Sequence, residues 1–371
     1  SERFMQRALS LARRAQGRTS PNPMVGAVIV KDGRIVGEGY HQRAGEPHAE
    51  IHALRQAGEA ARGATLYVNL EPCSHYGRTP PCTQAIIAAG IAEVHMAMLD
   101  PNPLVNGRGR DQLEAAGIRT YVGEREAEAR ELNEAFIKYI TTGRPFVTAK
   151  FAMSLDGKIA THTGEARWIT GPKARRWVHQ LRDVTDAIMV GVNTVLADDP
   201  RLTTRLDDGK EGREVHHPLR VIVDSRGRIP LTAKVLAADT PGRTLIATTE
   251  AMPPDRRKAL ERLGAQVLVL PAHVRGGRVS LPHLLDALGK REVTSLLVEG
   301  GGTLLASFFE QRLVDKVLAF VAPLIIGGQG APTPVAGQGV ARLSQSLRLE
   351  RVRVEKVGTD VLISGYVGSG G

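Results

Sequence analysis

The sequence has 371 residues, of which 42% are hydrophobic and 24% charged, and its formal net charge is +10. This length suits two or three domains with ordinary packed cores. The longest apolar runs are only long enough for buried strands, and the first residues lack the basic-then-apolar order of a signal peptide. We therefore expect a cytoplasmic protein without membrane spans.

The positive charge is compatible with nucleic acid, with small phosphorylated molecules, or with solubility alone. Lys and Arg are scattered rather than clustered, and aromatic residues make up only 4% of the chain. Proteins that bind single-stranded nucleic acid use aromatic side chains as stacking platforms. The composition therefore favours small phosphorylated ligands and no nucleic acid.

Strands and helices alternate in the first part of the chain. Apolar positions at helical spacing predict a helix over 3–16, which ends at the proline-rich residues 20–23. Asp32 and Gly33 predict a hairpin turn between strands over 25–30 and 35–39. The pattern then predicts helices over 48–57, 81–89, 112–116 and 124–140, and strands over 65–69, 94–98 and 118–122.

The pattern restarts after residues 141–145, which are the best candidate for a linker. Strands are predicted over 146–153, 187–190, 219–223, 243–248, 266–270, 295–298 and 316–321, and helices near 172–182, 254–263, 281–289 and 303–311. Residues 207–214 are predicted to form a polar surface loop, and the tail 368–371 to be disordered. Because alternating strands and helices imply α/β layers, we divide the chain into one α/β domain over 1–143 and another over 144–367.

The two cysteines belong to a pattern that is typical of a metal site. His48 and Glu50 lie at a predicted helix start, Cys73 follows a predicted strand, and Cys82 opens the next helix. One His and two Cys hold zinc with its fourth position open, as in catalytic sites. Such a zinc ion makes hydroxide at neutral pH, and Glu50 suits the accompanying proton transfers. Base deaminases carry a related pattern, although eight residues separate the cysteines here.

Other interpretations use some of the same residues. A disulfide between Cys73 and Cys82 is disfavoured in a cytosolic chain. A zinc protease would need a glutamate where Ala49 stands, so we interpret His52 as a helix-face residue. A closed structural zinc site needs a fourth protein ligand; His75 is the candidate, and the spacing leaves this alternative open.

Five stretches of the sequence carry a resemblance to one family. They are residues 21–26 (PNPMVG), 41–50 (HQRAGEPHAE), 71–82 (EPCSHYGRTPPC), 100–103 (DPNP) and 154–157 (SLDG). With them, nearly the whole chain resembles the bifunctional deaminase–reductases of bacterial riboflavin biosynthesis, which show the same long cysteine spacing. The resemblance implies a cytidine-deaminase-like three-layer domain, then a dihydrofolate-reductase-like α/β domain, in a homo-oligomer (a dimer or a tetramer).

The resemblance also implies two consecutive reactions. The first removes the 2-amino group of 2,5-diamino-6-ribosylamino-4(3H)-pyrimidinone 5′-phosphate, and the second uses NADPH to reduce the ribosyl group to ribityl. It implies one zinc ion per chain, bound by His48, Cys73 and Cys82, with Glu50 as the proton shuttle. The implied contacts to the phosphorylated pyrimidine are Asn22, His41, His75, Arg78, Asp100 and Asn102. Asn and Asp suit the pyrimidine edge, and Arg78 suits the phosphate.

Three consecutive glycines follow a predicted strand in the second domain. Gly300, Gly301 and Gly302 precede a helix that is predicted to begin at Thr303. Bare backbone N–H groups at a helix N-terminus bind phosphates, although a plain glycine-rich turn is the alternative. Further polar residues near a strand exit form either an active-site rim or a solvated turn; they are Lys150, Ser154, Asp156 and Lys158.

The resemblance implies further contacts by position. The implied NADP contacts are Ala152, Trp168, Thr194, Asp198, Ser225, Gly300, Gly301, Gly302 and Thr303. The implied substrate contacts of the reductase are Ala166, Arg182, Leu202, Arg205 and Glu299. Arg182 and Arg205 suit a bidentate grip on a phosphate. Ala166 departs from the family pattern of serine, so a hydroxyl contact is expected to be absent.

Two alternative functions stay open at the level of sequence. A nucleic-acid deaminase with an appended domain would use the positive charge and the deaminase pattern, but it explains neither the glycine turn nor the large second α/β unit. A structural zinc module fused to a nucleotide-sensing domain would require His75 or another residue to complete the zinc shell.

Overall fold

A computed structural model describes residues 2–76, 80–206, 214–273 and 276–368. The chain divides into two compact units, Ser1–Arg144 and Pro145–Gly371, each with its own sheet. Most of the predicted loop over 207–214 and of the predicted disordered tail lies outside the described residues. Within those ranges, no helix is both long and apolar enough to cross a bilayer.

The first unit alternates strands and helices, as the sequence pattern predicts. Its described helices are α1 (Glu2–Arg13), α2 (Ala49–Ala57), α3 (Cys82–Ala88), α4 (Arg108–Ala115), α5 (Glu126–Leu132) and α6 (Glu134–Thr142). Its described strands are β1 (Gly26–Lys31), β2 (Arg34–Tyr40), β3 (Thr65–Val68), β4 (Glu93–Met96) and β5 (Arg119–Val122).

These strands form one sheet in the order β2-β1-β3-β4-β5. β1 pairs antiparallel with β2 and β3, whereas β3, β4 and β5 run parallel. The predicted hairpin is confirmed: Asp32 and Gly33 have positive φ angles of 50° and 73°, which Asp and Gly tolerate. Because β3 and β4 are parallel, the segments that follow them leave the sheet at the same edge.

Helices cover both faces of this sheet and make three layers. Successive side chains of β1 point to opposite faces, so Ala27 packs in the same core as α2 and α3, and Val28 in the same core as α1. Helix α2 lies very close to β2, because a Cβ at Gly37 would come within 2.2 Å of the Ala53 carbonyl oxygen. This close packing holds the start of α2 beside the sheet.

The second unit is a larger α/β structure. Its described helices are α7 (Pro172–Val184), α8 (Val192–Asp198), α9 (Pro254–Arg262), α10 (Leu281–Gly289) and α11 (Gly302–Glu310). Its described strands are β6 (Phe146–Ser154), β7 (Ala187–Gly191), β8 (Leu219–Val223), β9 (Thr244–Thr248), β10 (Gln266–Val269), β11 (Ser295–Gly300), β12 (Lys316–Ala322), β13 (Leu349–Val357) and β14 (Asp360–Val367).

The strand order in this unit is β10-β9-β8-β7-β11-β6-β12-β14-β13. The strands from β10 to β12 in that order are parallel, and the final hairpin of β13 and β14 adds antiparallel strands at one edge. Helices α10 and α11 pack on one face of the sheet, and α8 and α9 on the other. The carboxyl ends of the parallel strands therefore share one edge, where α/β proteins bind ligands.

Several elements differ from the sequence-based expectation. The helix predicted over 124–140 is two helices, because the Asn133 side chain bonds the backbone N–H and carbonyl of Met24 (2.8 and 2.9 Å) at the break. Helix α4 begins at Arg108, before the predicted 112, and α8 was not predicted. The hairpin of β13 and β14 was also not predicted; a bulge around Arg351, with φ of 49°, interrupts the alternation of β13.

Candidate active sites

The first unit brings His48, Cys73 and Cys82 together. His48 is the residue before α2, Cys82 is the first residue of α3, and Cys73 lies between β3 and α3. The Nδ1 atom of His48 is 3.5 Å from Cys73 Sγ and 3.3 Å from Cys82 Sγ. Among the described residues, this is the one group of three or more potential ligands whose atoms all lie within 4.8 Å of one another.

The local electrostatics suit a cation between the two sulfurs and the imidazole. The backbone N–H of Cys82, at the start of α3, donates to Cys73 Sγ over 3.2 Å. Hydrogen bonds from the Cys82 thiol and from His48 hold the pKa of Cys73 below its usual range, so its thiolate is favoured. One imidazole nitrogen and two sulfurs are a donor set that zinc prefers.

Glu50 lies beside this group. Its side chain is buried, and its Oε2 atom has no hydrogen-bond partner in the described structure. Burial raises the pKa of Glu50 to about 7, and the negative charge of Cys73 adds to the effect. His48 and Glu50 both lie where α2 begins, so their side chains can face the same site although they are two residues apart. An orphaned carboxylate oxygen beside three ligand atoms fits a metal-dependent proton transfer.

The histidines that could support other metal sites lie outside this group. His75 is exposed, and neither His75 nor His52 belongs to the set of clustered ligand atoms. His52 instead packs at the α2–β2 contact, where a Cβ at Gly39 would come within 2.4 Å of His52 Cβ. The described residues thus provide three protein ligands, which leaves one position of a tetrahedral zinc for water or substrate.

Asn22 and His41 lie next to the metal ligands. Asn22 Nδ2 is 3.1 Å from His41 Nε2, and His41 Nδ1 is 3.2 Å from the carbonyl oxygen of Pro47. This pattern fits a neutral imidazole that donates from Nδ1 and accepts at Nε2. Burial also lowers the pKa of His41, and its ring lies edge-on to His48 with centroids 5.4 Å apart.

Asp100 and Asn102 follow β4 at the same edge. Asp100 Oδ1 accepts the N–H of Asn102 over 2.8 Å, and Asn102 Oδ1 accepts the N–H of Leu104 over 3.0 Å. Burial raises the pKa of Asp100, the hydrogen bond from the Asn102 N–H lowers it, and the negative charge of Glu71 raises it further. Arg78, the predicted phosphate contact, lies outside the described residues.

The sequence analysis did not single out Asn69, which organises the segment after Asn22. Its Oδ1 atom accepts the N–H of Gly26 over 2.7 Å, and its Nδ2 atom donates to the carbonyl of Met24 over 2.9 Å. The sequence offered one signal, an asparagine at the end of a predicted strand. If such an amide is buried, it needs hydrogen-bond partners, and the nearby backbone supplies them.

The second unit contains a cavity of about 510 Å³ at the carboxyl ends of its parallel strands. Predicted residues that line this cavity are Ala152, Ala166, Trp168, Arg182, Thr194, Asp198, Leu202, Arg205, Glu299, Gly300, Gly301 and Gly302. Ser225 and Thr303 are not among its lining residues. The Ser225 hydroxyl accepts the N–H of Val279 over 3.0 Å, and Thr303 is exposed on α11.

A buried ion pair lies at this cavity. Arg182 donates from Nε and Nη2 to the two carboxylate oxygens of Glu299 (3.0 and 2.5 Å) and from Nη1 to the carbonyl of Thr203. Burial alone would raise the pKa of Glu299, but Arg182 and Lys150 hold it at about 2. The fork of Arg182 is therefore occupied by a carboxylate, which differs from the predicted phosphate grip.

Arg205 lies in a strongly positive part of the same cavity. Burial lowers its pKa, and the positive charges of Arg182 and Arg201 lower it further. Its backbone N–H donates to His179 Nδ1 over 3.2 Å. Burial and the positive charges of Arg182 and Arg205 lower the pKa of His179 to about 4, so this imidazole is neutral near pH 7. An anion is the ligand that would relieve the repulsion between these charges.

The glycine turn between β11 and α11 is shaped for close approach. Gly300 and Gly301 have φ angles of 150° and 27°, and α11 begins at Gly302. A Cβ at Gly301 would lie 3.1 Å from Thr194 Oγ1, and one at Gly302 would lie 2.9 Å from the Thr333 carbonyl oxygen. Side chains would fill this cradle, whereas bare N–H groups at a helix start fit the diphosphate of a dinucleotide.

Fold and sites together define a class: a zinc-dependent deaminase unit and a nucleotide-dependent reductase unit in one chain. Comparison with known families agrees. The model of the cytidine and deoxycytidylate deaminase zinc-binding region matches residues 1–98, and that of the RibD C-terminal domain matches residues 145–363.

Full-length relatives are similar over almost the whole chain. The riboflavin biosynthesis protein RibD of Aquifex aeolicus is 46% identical over 97% of this chain and 96% of its own, and that of Escherichia coli is 44% identical over 98% of each. RibD of Acinetobacter baumannii has a structure with a TM-score of 0.88 and 40% identity over 99% of both chains.

A structure from Thermotoga maritima has a TM-score of 0.85 and 38% identity over 99% of this chain and 98% of its own. It is a diaminohydroxyphosphoribosylaminopyrimidine deaminase and 5-amino-6-(5-phosphoribosylamino)uracil reductase. The chain belongs to the RibD family, the bifunctional deaminase–reductases of riboflavin biosynthesis. It is thus a zinc-dependent deaminase and an NADPH-dependent reductase.

Proposed function

We propose that the chain deaminates 2,5-diamino-6-ribosylamino-4(3H)-pyrimidinone 5′-phosphate and then reduces the product with NADPH to 5-amino-6-ribitylaminouracil 5′-phosphate. We assign the first step to residues 1–143 and the second to residues 144–367. The observation that carries the proposal is the group of His48, Cys73 and Cys82 beside the buried carboxylate of Glu50.

In the deaminase site, His48, Cys73 and Cys82 hold the metal. Zinc held there would lower the pKa of a water molecule toward neutral. Glu50 takes a proton from the attacking water and delivers it to the leaving amino group, so that water and the amine become a carbonyl and ammonia. Burial raises the pKa of Glu50 above its ordinary value, which favours a carboxyl group that accepts a proton and donates it again.

The surrounding side chains orient the pyrimidine. Asn22 and His41 form a hydrogen-bonded pair beside His48, and Asp100 and Asn102 occupy the turn after β4. Amide and carboxyl groups match the donors and acceptors of a pyrimidine edge. His75 is exposed where a substrate could approach, and Arg78 is assigned to the ribose phosphate by its place in the family motif.

In the reductase site, the cavity residues bind and orient two molecules. The glycine turn, with Thr194 against it, is the place for the NADP diphosphate, and Ala152, Trp168 and Asp198 are further cofactor contacts in the cavity. Ser225 and Thr303 lie outside the cavity lining and are assigned to the cofactor by their places in the family pattern alone. NADPH supplies the hydride that reaches the sugar carbon bound to the amine. The protein excludes water and fixes the geometry of that transfer.

The positive charge of the cavity positions the phosphate group of the reductase substrate. Arg205 takes the phosphate, because its cavity has excess positive charge and the fork of Arg182 is already bound to Glu299. Arg182 and Glu299 form a fixed polar wall, and Leu202 and Ala166 complete the contacts. The family serine is replaced at Ala166, so this chain binds the substrate without that hydroxyl.

The proposal is tested by following NADPH absorbance and ammonia together, with zinc-loaded protein and only the undeaminated substrate. We expect ammonia release and NADPH oxidation in a one-to-one ratio. The deaminated substrate should give oxidation without ammonia. NADPH oxidation from the undeaminated substrate without ammonia would contradict the proposed order of the reactions.

A further inference from the structure

Glu71 has no role in the reactions described above, yet its carboxylate is buried two residues before the metal ligand Cys73. Three backbone N–H groups donate to it. The N–H groups of Asp100 and Gly107 donate to Oε2 (2.8 and 3.0 Å), and that of Arg110 donates to Oε1 (3.0 Å). All three belong to the segment that connects β4 to the first turn of α4.

These contacts hold that segment against the exit of β3. The first N–H groups of a helix lack partners within the helix, and a carboxylate at this end satisfies them and interacts favourably with the helix dipole. Gly109 lets α4 approach closely, because a Cβ there would lie 2.2 Å from the Pro72 carbonyl oxygen. The residues around 100–110 are thus fixed to the backbone that carries Cys73.

The metal ligand itself has other support. The N–H of Glu71 donates to the Met98 carbonyl over 3.0 Å, and the carbonyl of Cys73 accepts the N–H of Thr83 over 3.2 Å. Neither bond uses the carboxylate of Glu71. Loss of that carboxylate should therefore release Asp100 and its turn while Cys73 stays in place.

We propose that Glu71 is a positioning residue for deamination. Its carboxylate sets the distance between the metal ligands and the turn at Asp100 and Asn102, which holds the pyrimidine. The inference rests on the proposed function, because that function makes Asp100 and Asn102 substrate contacts.

The variant Glu71→Gln tests this role with little change of volume. A glutamine has one acceptor oxygen and one donor NH₂, whereas both oxygens of the Glu71 carboxylate accept hydrogen bonds. At least one backbone N–H therefore loses its partner in this variant. Because the affected turn binds substrate, we expect KM for deamination to rise about tenfold, as hydrogen bonds to a charged group are lost. The value of kcat, the zinc content and the reductase activity should stay within twofold.

Glu124→Gln is the matched control. Glu124 is another mostly buried carboxylate of the first unit, and its Oε2 atom lies 3.5 Å from His95 Nδ1. We expect this variant to keep the wild-type KM. If Glu71→Gln instead loses zinc, or lowers kcat at unchanged KM, Glu71 supports the metal centre and the inference is wrong.

A double-mutant cycle with Asp100→Ala separates the inference from the proposed function. If Glu71 acts through Asp100, the double variant should have a KM close to that of Asp100→Ala alone. Multiplied effects in this cycle and in the same cycle with Asn102→Ala would overturn the positioning role. If Asp100→Ala raises KM and Glu71→Gln does not, the positioning role of Glu71 is wrong and the proposed function stands. If KM is unchanged in Asp100→Ala, Asp100 is not a substrate contact either.

Discussion

The metal site and the reductase cavity are built in different ways. The metal ligands come from one short stretch, residues 48–82, and their atoms lie within 4.8 Å of one another at helix starts and a strand exit. The reductase cavity takes its walls from residues between Lys150 and Pro334. Metal coordination demands particular atoms at particular distances, whereas a cavity for two large ligands depends on shape and summed charge. The first kind of site leaves a motif in the sequence, and the second leaves a diffuse pattern.

Two buried glutamates sharpen the difference. Glu50 has an oxygen without a partner, and burial raises its pKa to about 7. Glu299 is also buried, but Arg182 and Lys150 hold its pKa at about 2. The first can gain and lose a proton near neutral pH, and the second is a permanent charge. The same side chain thus serves proton transfer in one unit and electrostatic organisation in the other.

Removal of a metal ligand should cause the largest loss of activity, and this loss should be confined to deamination. We expect Cys82→Ser to bind much less zinc and to deaminate more than about 1,000-fold slower, because the acidified water is lost. Reduction of the deaminated substrate should stay within twofold. Zinc analysis, ammonia release and NADPH oxidation check this. Full deamination by zinc-free protein would contradict the metal assignment.

Breaking the buried ion pair should destabilise the second unit. Glu299→Gln leaves Arg182 without its charged partner, and we expect the free energy of unfolding of this unit to fall by roughly 3 kcal/mol. Urea unfolding measures the change. Glu355→Gln, at an exposed position of β13, is the control and should leave stability unchanged. A change in Glu299→Gln no larger than in this control would show that the pair is not stabilising.

His179 should make the second unit sensitive to acid. Its pKa is about 4 in the folded protein and about 6.5 when unfolded, so the unfolded state binds the proton more readily. The contribution of the neutral imidazole to folding stability is fully present above pH 6.5 and is lost as the pH falls toward 4. After allowance for partial exposure, we expect the free energy of unfolding to fall by about 2 kcal/mol over this range. Urea unfolding at pH 7 and pH 4.5 should show a smaller loss in His179→Gln. Equal losses would mean that His179 titrates normally.

The glycine cradle should respond to a single methyl group. We expect Gly301→Ala to raise the KM for NADPH about tenfold, because its φ of 27° is strained for alanine and the Cβ would lie 3.1 Å from Thr194 Oγ1. Gly330→Ala is the control, since no atom lies within 4 Å of its Cβ position. Titration of NADPH at saturating deaminated substrate measures both. Equal KM values would exclude the cradle as the diphosphate site.

The sequence predicted the deaminase site better than the reductase site. His48, Cys73 and Cys82 could be grouped because each lies at an element end that the local pattern also predicts. The pairing of Arg182 with Glu299 joins residues that are 117 positions apart, and only the fold brings them together. The role of Glu71 was hidden for a related reason, because its partners are backbone groups that any residue carries.

The fold itself was predictable where packing follows a regular pattern. Most of the parallel strands of the second unit contain buried apolar runs, and the positions of these strands were predicted from the sequence. The break at Asn133 could not be predicted, because it depends on a tertiary contact with Met24. The hairpin of β13 and β14 was not predicted because β13 is mostly exposed. Its sequence therefore lacks the regular apolar pattern that packing against a core produces.

The central claim is that one chain carries two separate chemical sites, and Glu50→Gln tests it most directly. NADPH oxidation by this zinc-loaded variant is measured with each substrate in turn. The account predicts that oxidation falls by about 100-fold or more with the undeaminated substrate, because general acid–base catalysis is lost, and that it is unchanged with the deaminated one. Loss of oxidation with both substrates in a folded, zinc-bound variant, or full oxidation with both, would contradict the account.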